Sequence, residues 1–75
     1  MDEGTKRAKR QVAVRGEMLA ADGLSMADIS VSVNLQNAYD EAALWVCRWE
    51  RGENVDLRAM GDAGRRIFCR YLASR

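Results

Sequence analysis

The stretch of sequence from residue 37 to residue 51 constrains the fold more than any other. Tyr39, Ala42, Val46 and Trp49 recur at helical spacing on one face, and the run AALWVC is apolar on nearly every side. A helix of that kind has to be buried on more than one side. Because a chain of 75 residues buries only about 60% of its unfolded surface, this helix is expected to be either the centre of a small domain or the interface of a homodimer.

Two tryptophans, Trp45 and Trp49, lie one turn apart in this segment. Aromatic side chains at helical spacing are more often part of a core than a platform on which nucleic-acid bases stack, so we place both in the core first. If the helix instead lies between two subunits or against a partner protein, the predicted contact residues are Tyr39, Trp45, Val46 and Trp49.

The N-terminal segment is also helical in pattern. A helix is predicted to follow Thr5 and to end at Gly23, where glycine can adopt the left-handed conformation that closes many helices. Gly16 weakens this helix, so its ordered part could begin near Val12. We therefore predict a flexible, basic arm over residues 1–11 and a single helical domain over residues 12–75.

A final helix is predicted over residues 54–73, because apolar residues recur along it at helical spacing. Gly61 and Gly64 weaken its middle. They indicate either a kink that allows a close helix crossing or a break near Gly61.

The segment from residue 29 to residue 35 fits two structures. Its serines and β-branched residues alternate as in a strand, whereas the sequence Ser25-Met26-Ala27-Asp28 just before it is typical of a capped helix of about two turns. A strand here would need a partner, either near residues 55–59 or in a second subunit. The predicted fold is therefore mainly α, with three to four helices, a short β segment at 29–35 as an open alternative, and a homodimeric assembly.

Composition excludes several classes of function. The chain has no histidine and two cysteines, Cys47 and Cys69, which lack CxxC spacing. The usual general base and metal ligand are thus missing, and we predict no catalytic residues, metal site, cofactor or small-molecule substrate. Both thiols are expected to be buried in a reducing cytoplasm. No apolar run approaches the roughly 20 residues of a membrane helix, and no signal-peptide pattern is present, so we expect a cytoplasmic protein without membrane contacts.

The net charge of +1 conceals three blocks. Residues 1–16 carry five basic and two acidic residues, residues 17–47 carry five acidic residues and no lysine or arginine, and residues 48–75 carry seven arginines and four acidic residues. This layout fits either a nucleic-acid footprint or pairing of the ends with the centre inside one molecule. The candidate phosphate contacts are Lys6, Arg7, Lys9, Arg10, Arg15, Arg65, Arg66 and Arg70.

Residues 24–35 resemble the first two-thirds of the helix-turn-helix in phage-repressor-type regulators. Leu24-Ser25 is followed by Ile29, Val33 and Leu35 at the family's apolar positions, and Asn34 stands where a left-handed turn residue is usual. The run VCRWERGE is similar to the end of the recognition helix, but it lies about six residues, nearly two turns, too far along the chain. Asp40 and Glu41 also fall where phosphate would be close, which opposes binding.

If residues 29–35 form a strand, the chain instead resembles the ribbon-helix-helix repressors, in which paired strands of a dimer enter the major groove and two helices follow. That resemblance implies that Ser30, Ser32 and Asn34 face the bases.

Two functions follow as expectations. The first is a small, non-enzymatic DNA-binding transcriptional regulator with a basic arm and a helical dimer core. The second, the alternative, is an inhibitor or adaptor of the phage or plasmid type that docks on a larger host protein, such as transcription or defence machinery, through helical surfaces. The acidic centre and the abundance of aromatic residues in the central helix motivate the second, whereas the two partial motifs and the charge blocks narrowly favour the first.

Overall fold

A computed structural model describes residues 3–75 of the chain; the side chain of Glu3 is outside that description. Four α-helices follow one another: α1 (Glu3–Ala21), α2 (Met26–Ile29), α3 (Val33–Glu50) and α4 (Asp62–Ala73). A 3-10 turn (Leu57–Ala59) precedes α4, and no strand forms within residues 3–75. The prediction of a mainly α domain with three to four helices is confirmed.

Helix α3 lies at the centre, with α1 packed on one side and α4 on another. Ala42, Ala43 and Val46 are fully buried along it, and the small alanines let the neighbouring helices approach closely. Of the two placements expected for this helix, the centre of a small domain is the one observed. Tyr39 and Val46 belong to the core of the single chain, so their predicted role in a dimer or partner interface is wrong, while the homodimer itself stays a prediction.

Helix α1 runs without interruption through Gly16. Residues 4–10 are all exposed, and the first fully buried side chain is that of Val14. Residues 3–11, predicted as a flexible arm, are therefore the first turns of α1, because one glycine costs a long helix only about 1 kcal/mol. Met1 and Asp2 lie outside the described residues. Gly23 ends the helix with a φ of 74°, as predicted.

Of the two alternatives left open for residues 29–35, the strand is not the one observed, because the segment contains the end of α2, a turn and the start of α3. A capping box begins α2: the Asp28 N–H donates to Ser25 Oγ at 3.3 Å, and the Ser25 N–H donates to Asp28 Oδ2 at 2.7 Å. Ser32 then caps α3 by accepting a hydrogen bond from the Leu35 N–H at 3.3 Å. The two caps satisfy the backbone locally, whereas a lone strand would have left its hydrogen-bonding groups without a partner.

The C-terminal helix is shorter than the predicted 54–73. Helix α3 ends before Gly52, whose φ is 81°, and α4 begins only at Asp62, with Gly61 as its N-cap residue. The alternative of a break near Gly61 is the one observed. The Gly61 N–H donates to Glu41 Oε1 of α3 at 2.9 Å, so a side chain from another helix caps α4.

The two cysteines differ in their surroundings. Cys47 is buried on α3, and burial raises the pKa of its thiol. Cys69 is exposed on α4, which corrects the prediction that both thiols are buried. The sequence placed Cys69 next to the apolar residues Ile67 and Phe68, but its position on the helix turns it away from them towards solvent.

Candidate interaction surfaces

Three of the predicted phosphate-binding arginines form ion pairs between distant parts of the chain. Arg10 of α1 makes a two-pronged contact with Glu50 of α3, with Nε–Oε1 and Nη2–Oε2 distances of 3.0 and 2.7 Å. Arg15 and Arg70 each make a single contact: Arg15 Nη1 lies 2.5 Å from Asp40 Oδ1, and Arg70 Nη2 lies 2.8 Å from Asp22 Oδ2. The last two pairs join the ends of the chain to its acidic centre, so the intramolecular alternative for the charge blocks accounts for these arginines.

Asp22 is the meeting point of a small polar network beside α1. Its Oδ2 accepts hydrogen bonds from the Tyr39 hydroxyl and from Arg70. Burial and then the hydrogen bond to Asp22 raise the pKa of Tyr39 to about 12. The Tyr71 hydroxyl similarly donates to Glu17, and its pKa is also raised, mainly by burial. Both tyrosines therefore stay neutral donors at physiological pH.

The remaining predicted phosphate contacts lie on two separate parts of the surface. Lys6, Arg7 and Lys9 are exposed on the first two turns of α1. Arg65 and Arg66 lie near the start of α4, where Arg65 contacts Asp62 at 2.6 Å and Arg66 is exposed. The structure does not bring these two groups together, since it is the far end of α4 that approaches the Arg10–Glu50 pair.

The predicted base-reading residues have local structural roles instead. The Ser30 hydroxyl donates to the Ala27 carbonyl at 2.7 Å, and Ser32 caps α3. Asn34 lies in the first turn of α3, and no residue other than glycine has a positive φ within residues 3–75, so the left-handed position expected for Asn34 is also wrong. With no ribbon, these three side chains do not form the predicted DNA-facing row.

An exposed apolar surface lies where α2 meets α3. It comprises Met26, Val31 and Val33, whose exposed fractions are 47%, 87% and 70%; we call it the α2–α3 patch. Ile29, between them in the sequence, is fully buried. The sequence did not reveal this surface, because the pattern of apolar residues in the segment does not specify which of them face the core. The only hint was that the segment holds more apolar residues than one short helix can bury.

The two tryptophans also differ. Trp45 is partly buried against the core, and the guanidinium of Arg48 lies 4.8 Å from the centre of its ring. Trp49 is 45% exposed, and its ring faces Arg75. The core placement thus describes Trp45 better than Trp49.

One shallow cleft lies between the last turns of α1 and α4. It has a volume of about 360 Å³, and its walls include Met18, Ile67 and Tyr71, with Asp22 and Arg70 at the edge. Since the carboxylate and guanidinium are already paired to each other, the cleft presents an apolar floor and little unpaired charge.

No family model matches the chain, and no curated protein or solved structure is similar to it. The helix-turn-helix resemblance therefore stays a prediction. Within residues 3–75, no three potential metal-binding side chains gather in one place. No helix of that part of the chain has the length and apolar character needed to cross a membrane.

Proposed function

We propose that this protein is a non-enzymatic adaptor or inhibitor that binds a larger protein through the α2–α3 patch. The exposure of Met26, Val31 and Val33, three large apolar side chains within eight residues, carries the proposal. Exposed apolar side chains that gather in one region are typical of an interaction site, whereas isolated ones are not. The proposal takes up the second of the two functions expected from the sequence.

The patch is held in a defined conformation before any partner binds. The capping box at Ser25 fixes the start of α2, and Ser32 fixes the start of α3. Ile29 anchors the turn to the core between them. A site that is already ordered loses little conformational entropy on binding, which favours affinity.

The charges near the patch indicate the chemistry of its partner. Asp28, exposed on α2, is the only charged residue from 24 to 36, and its carboxylate is hydrogen-bonded to Ser25 but not to a cation in the described chain. An apolar groove with a lysine or arginine at its edge would match this arrangement. Since a stable complex buries about 800 Å² on each side, the three side chains would form the apolar centre of a larger contact.

The experiment compares tagged protein variants in pull-downs from cell extract, followed by titration with the purified partner. Val31→Ser combined with Val33→Ser removes apolar surface from the patch, and Val12→Ser is the matched control, because Val12 is 59% exposed on α1. Full burial of each valine is worth about 1.5–3 kcal/mol, so we expect the double variant to bind at least about tenfold more weakly. A stoichiometric partner bound equally by all variants, or no such partner, would overturn the proposal.

The exposed basic start of α1 favours a second candidate, DNA binding by a transcriptional regulator. Lys6, Arg7 and Lys9 lie within two turns and are all exposed. They could contact a phosphate backbone without any of the ion pairs of Arg10, Arg15 or Arg70 being broken.

Salt dependence of binding to a labelled duplex tests this candidate. Each neutralised phosphate contributes about 0.9 to the slope of log affinity against log salt concentration. Lys6→Ala should reduce the slope by about that amount, whereas Arg58→Ala, at an exposed arginine outside the basic start of α1, should leave it unchanged. Equal slopes in both variants, or no duplex binding at low salt, would exclude the candidate.

A further inference from the structure

The guanidinium of Arg75 lies between two aromatic rings just beyond the end of α4. Its central carbon is 5.5 Å from the centre of the Trp49 ring and 5.6 Å from that of Tyr71. Its Nη1 lies 3.6 Å from Glu50 Oε2. Both rings are within the roughly 6 Å at which a cation is attracted to an aromatic face. The Arg75 side chain is thus surrounded by two aromatic rings and a carboxylate, as a bound cationic ligand would be.

The aromatic residues do not need Arg75 in order to be in place. Tyr71 is buried, and its hydroxyl is held by Glu17. Trp49 is part of the last turn of α3, and Glu50 beside it is fixed by its two hydrogen bonds with Arg10. Arg75 itself follows the C-cap residue of α4 and is half-exposed. The surroundings are therefore built by the helices, whereas Arg75 itself lies outside them.

The charges around the site balance only when a cation occupies it. Arg10 lies between two carboxylates, at 2.7 Å from Glu50 and 3.7 Å from Glu17. With Arg75 in place, two guanidinium groups face two carboxylates. Without it, the same group carries one net negative charge beside two aromatic faces. Both features attract a cation.

We propose that Trp49, Tyr71 and Glu50 form a binding site for an arginine side chain of a partner protein, which Arg75 of the same chain fills in this structure. The planar guanidinium group can stack on an aromatic ring and contact a carboxylate at once, whereas the compact ammonium of lysine is more strongly hydrated. A partner arginine has to displace Arg75. Arg75 thereby weakens binding by competition, and its removal should strengthen it.

Proton–nitrogen NMR spectra of the two tryptophan indole groups test the site directly. The Trp49 signal is assigned with the variant Trp49→Phe, and the Trp45 signal serves as an internal control. The probe is N-acetyl-arginine amide. N-acetyl-citrulline amide, which has nearly the same shape but no charge, and N-acetyl-lysine amide are the comparison ligands.

We expect the arginine probe to shift the Trp49 signal saturably in Arg75→Ala, and to require several-fold higher concentrations in the unaltered protein. Adding Glu50→Gln to Arg75→Ala should weaken binding of the probe. Because Arg75 lies outside the helices, the other signals of Arg75→Ala should show an intact fold.

The absence of a Trp49 shift in Arg75→Ala would overturn the proposal, as would an equal response to the citrulline or lysine probe. If the arginine probe half-saturates Arg75→Ala and the unaltered protein at the same concentration, Arg75 does not compete for the site. The arginine-site proposal does not rest on the α2–α3 patch, and its experiment needs no partner protein. The arginine site and the proposed function of the patch can therefore fail separately.

Discussion

The two ends of helix α3 present opposite chemistry. Its start, with α2, exposes three apolar side chains, and Asp28 is the only charged residue from 24 to 36. Its end gathers Trp49, Glu50, Arg10 and Arg75, whose charges and rings are already in contact with one another. The start of α3 thus leaves apolar surface exposed to solvent, whereas its end pairs charges that connect it to α1 and to the residue after α4.

The sharpest test of the α2–α3 end compares Ile29 and Val31, two β-branched residues that lie two positions apart and differ strongly in burial. Ile29→Ala should destabilise the fold by about 2–5 kcal/mol, since a fully buried side chain leaves a cavity when it is shortened. Val31→Ala should change stability by less than about 0.5 kcal/mol, because Val31 is 87% exposed. Urea unfolding followed by circular dichroism measures both. Similar losses in the two variants would mean that the turn is not ordered as described.

A second comparison concerns two glycines inside helices. Gly16→Ala should stabilise the protein by about 0.5–1 kcal/mol, because a Cβ there meets nothing within 4 Å and alanine favours a helix. At Gly64 an added Cβ would overlap the Glu41 carboxylate, with Cδ only 3.3 Å away. Moving that carboxylate breaks the cap on Gly61, and the loss of the cap offsets the helix preference of alanine, so we expect no stabilisation from Gly64→Ala.

Thermal unfolding of both glycine variants shows directly whether each substitution raises or lowers the stability of the protein. As a further control, Glu41→Gln combined with Gly64→Ala should cost little more than Gly64→Ala alone, since the cap is already lost. Stabilisation by both single substitutions would show that Glu41 does not hold the start of α4.

The smallest expected effect is the pH dependence of the Arg10–Glu50 pair. The hydrogen bonds from Arg10 hold the pKa of Glu50 below its usual range. Because the pKa of Glu50 is lower in the folded state than in the unfolded chain, the pair stabilises the protein at pH values above the ordinary glutamate pKa. This stabilisation is lost as the pH falls through the pKa of Glu50 in the folded protein. Because both side chains are partly exposed, that contribution is at most about 1 kcal/mol.

Urea unfolding at pH 7 and at pH 3 checks this expectation. Glu50→Gln should be the less stable protein at pH 7, and the difference should shrink at pH 3. Glu53→Gln, which removes the contact of Glu53 with Arg51 two residues away, provides the control for an exposed local pair. A difference between Glu50→Gln and the unaltered protein that stays constant with pH would contradict the assignment.

Helix α3 could be predicted from sequence because its pattern is local and strong. The residues Tyr39, Ala42, Val46 and Trp49 repeat at helical spacing over nearly three turns, and Gly52 marks the end. The capping sequence at Ser25 was equally local, but alternating β-branched residues after it favoured a strand. The side-chain caps at Ser25 and Ser32 prevailed over that preference.

The parts that could not be predicted depend on residues far apart in the chain. Arg70 and Asp22 are 48 positions apart, and Glu41 caps a helix that begins 21 residues later. Neither the charge blocks nor the glycine spacing specifies which groups meet, since that depends on how α1 and α4 lie against α3. The exposure of Val31 and Val33 likewise follows from the direction in which the turn faces, and periodicity alone does not fix it.

Helix α1 is supported unevenly along its length. Residues 4–10 bury no apolar side chain, whereas Val14, Met18 and Leu19 are fixed in the core. Opening the turns before Arg10 exposes no core surface to water, so it costs far less free energy than global unfolding. Amide hydrogens there should exchange with solvent by local fraying, and those from Val14 onward should exchange only with larger openings. The chain can thus lose helical order next to its basic side chains while the rest of the domain stays folded.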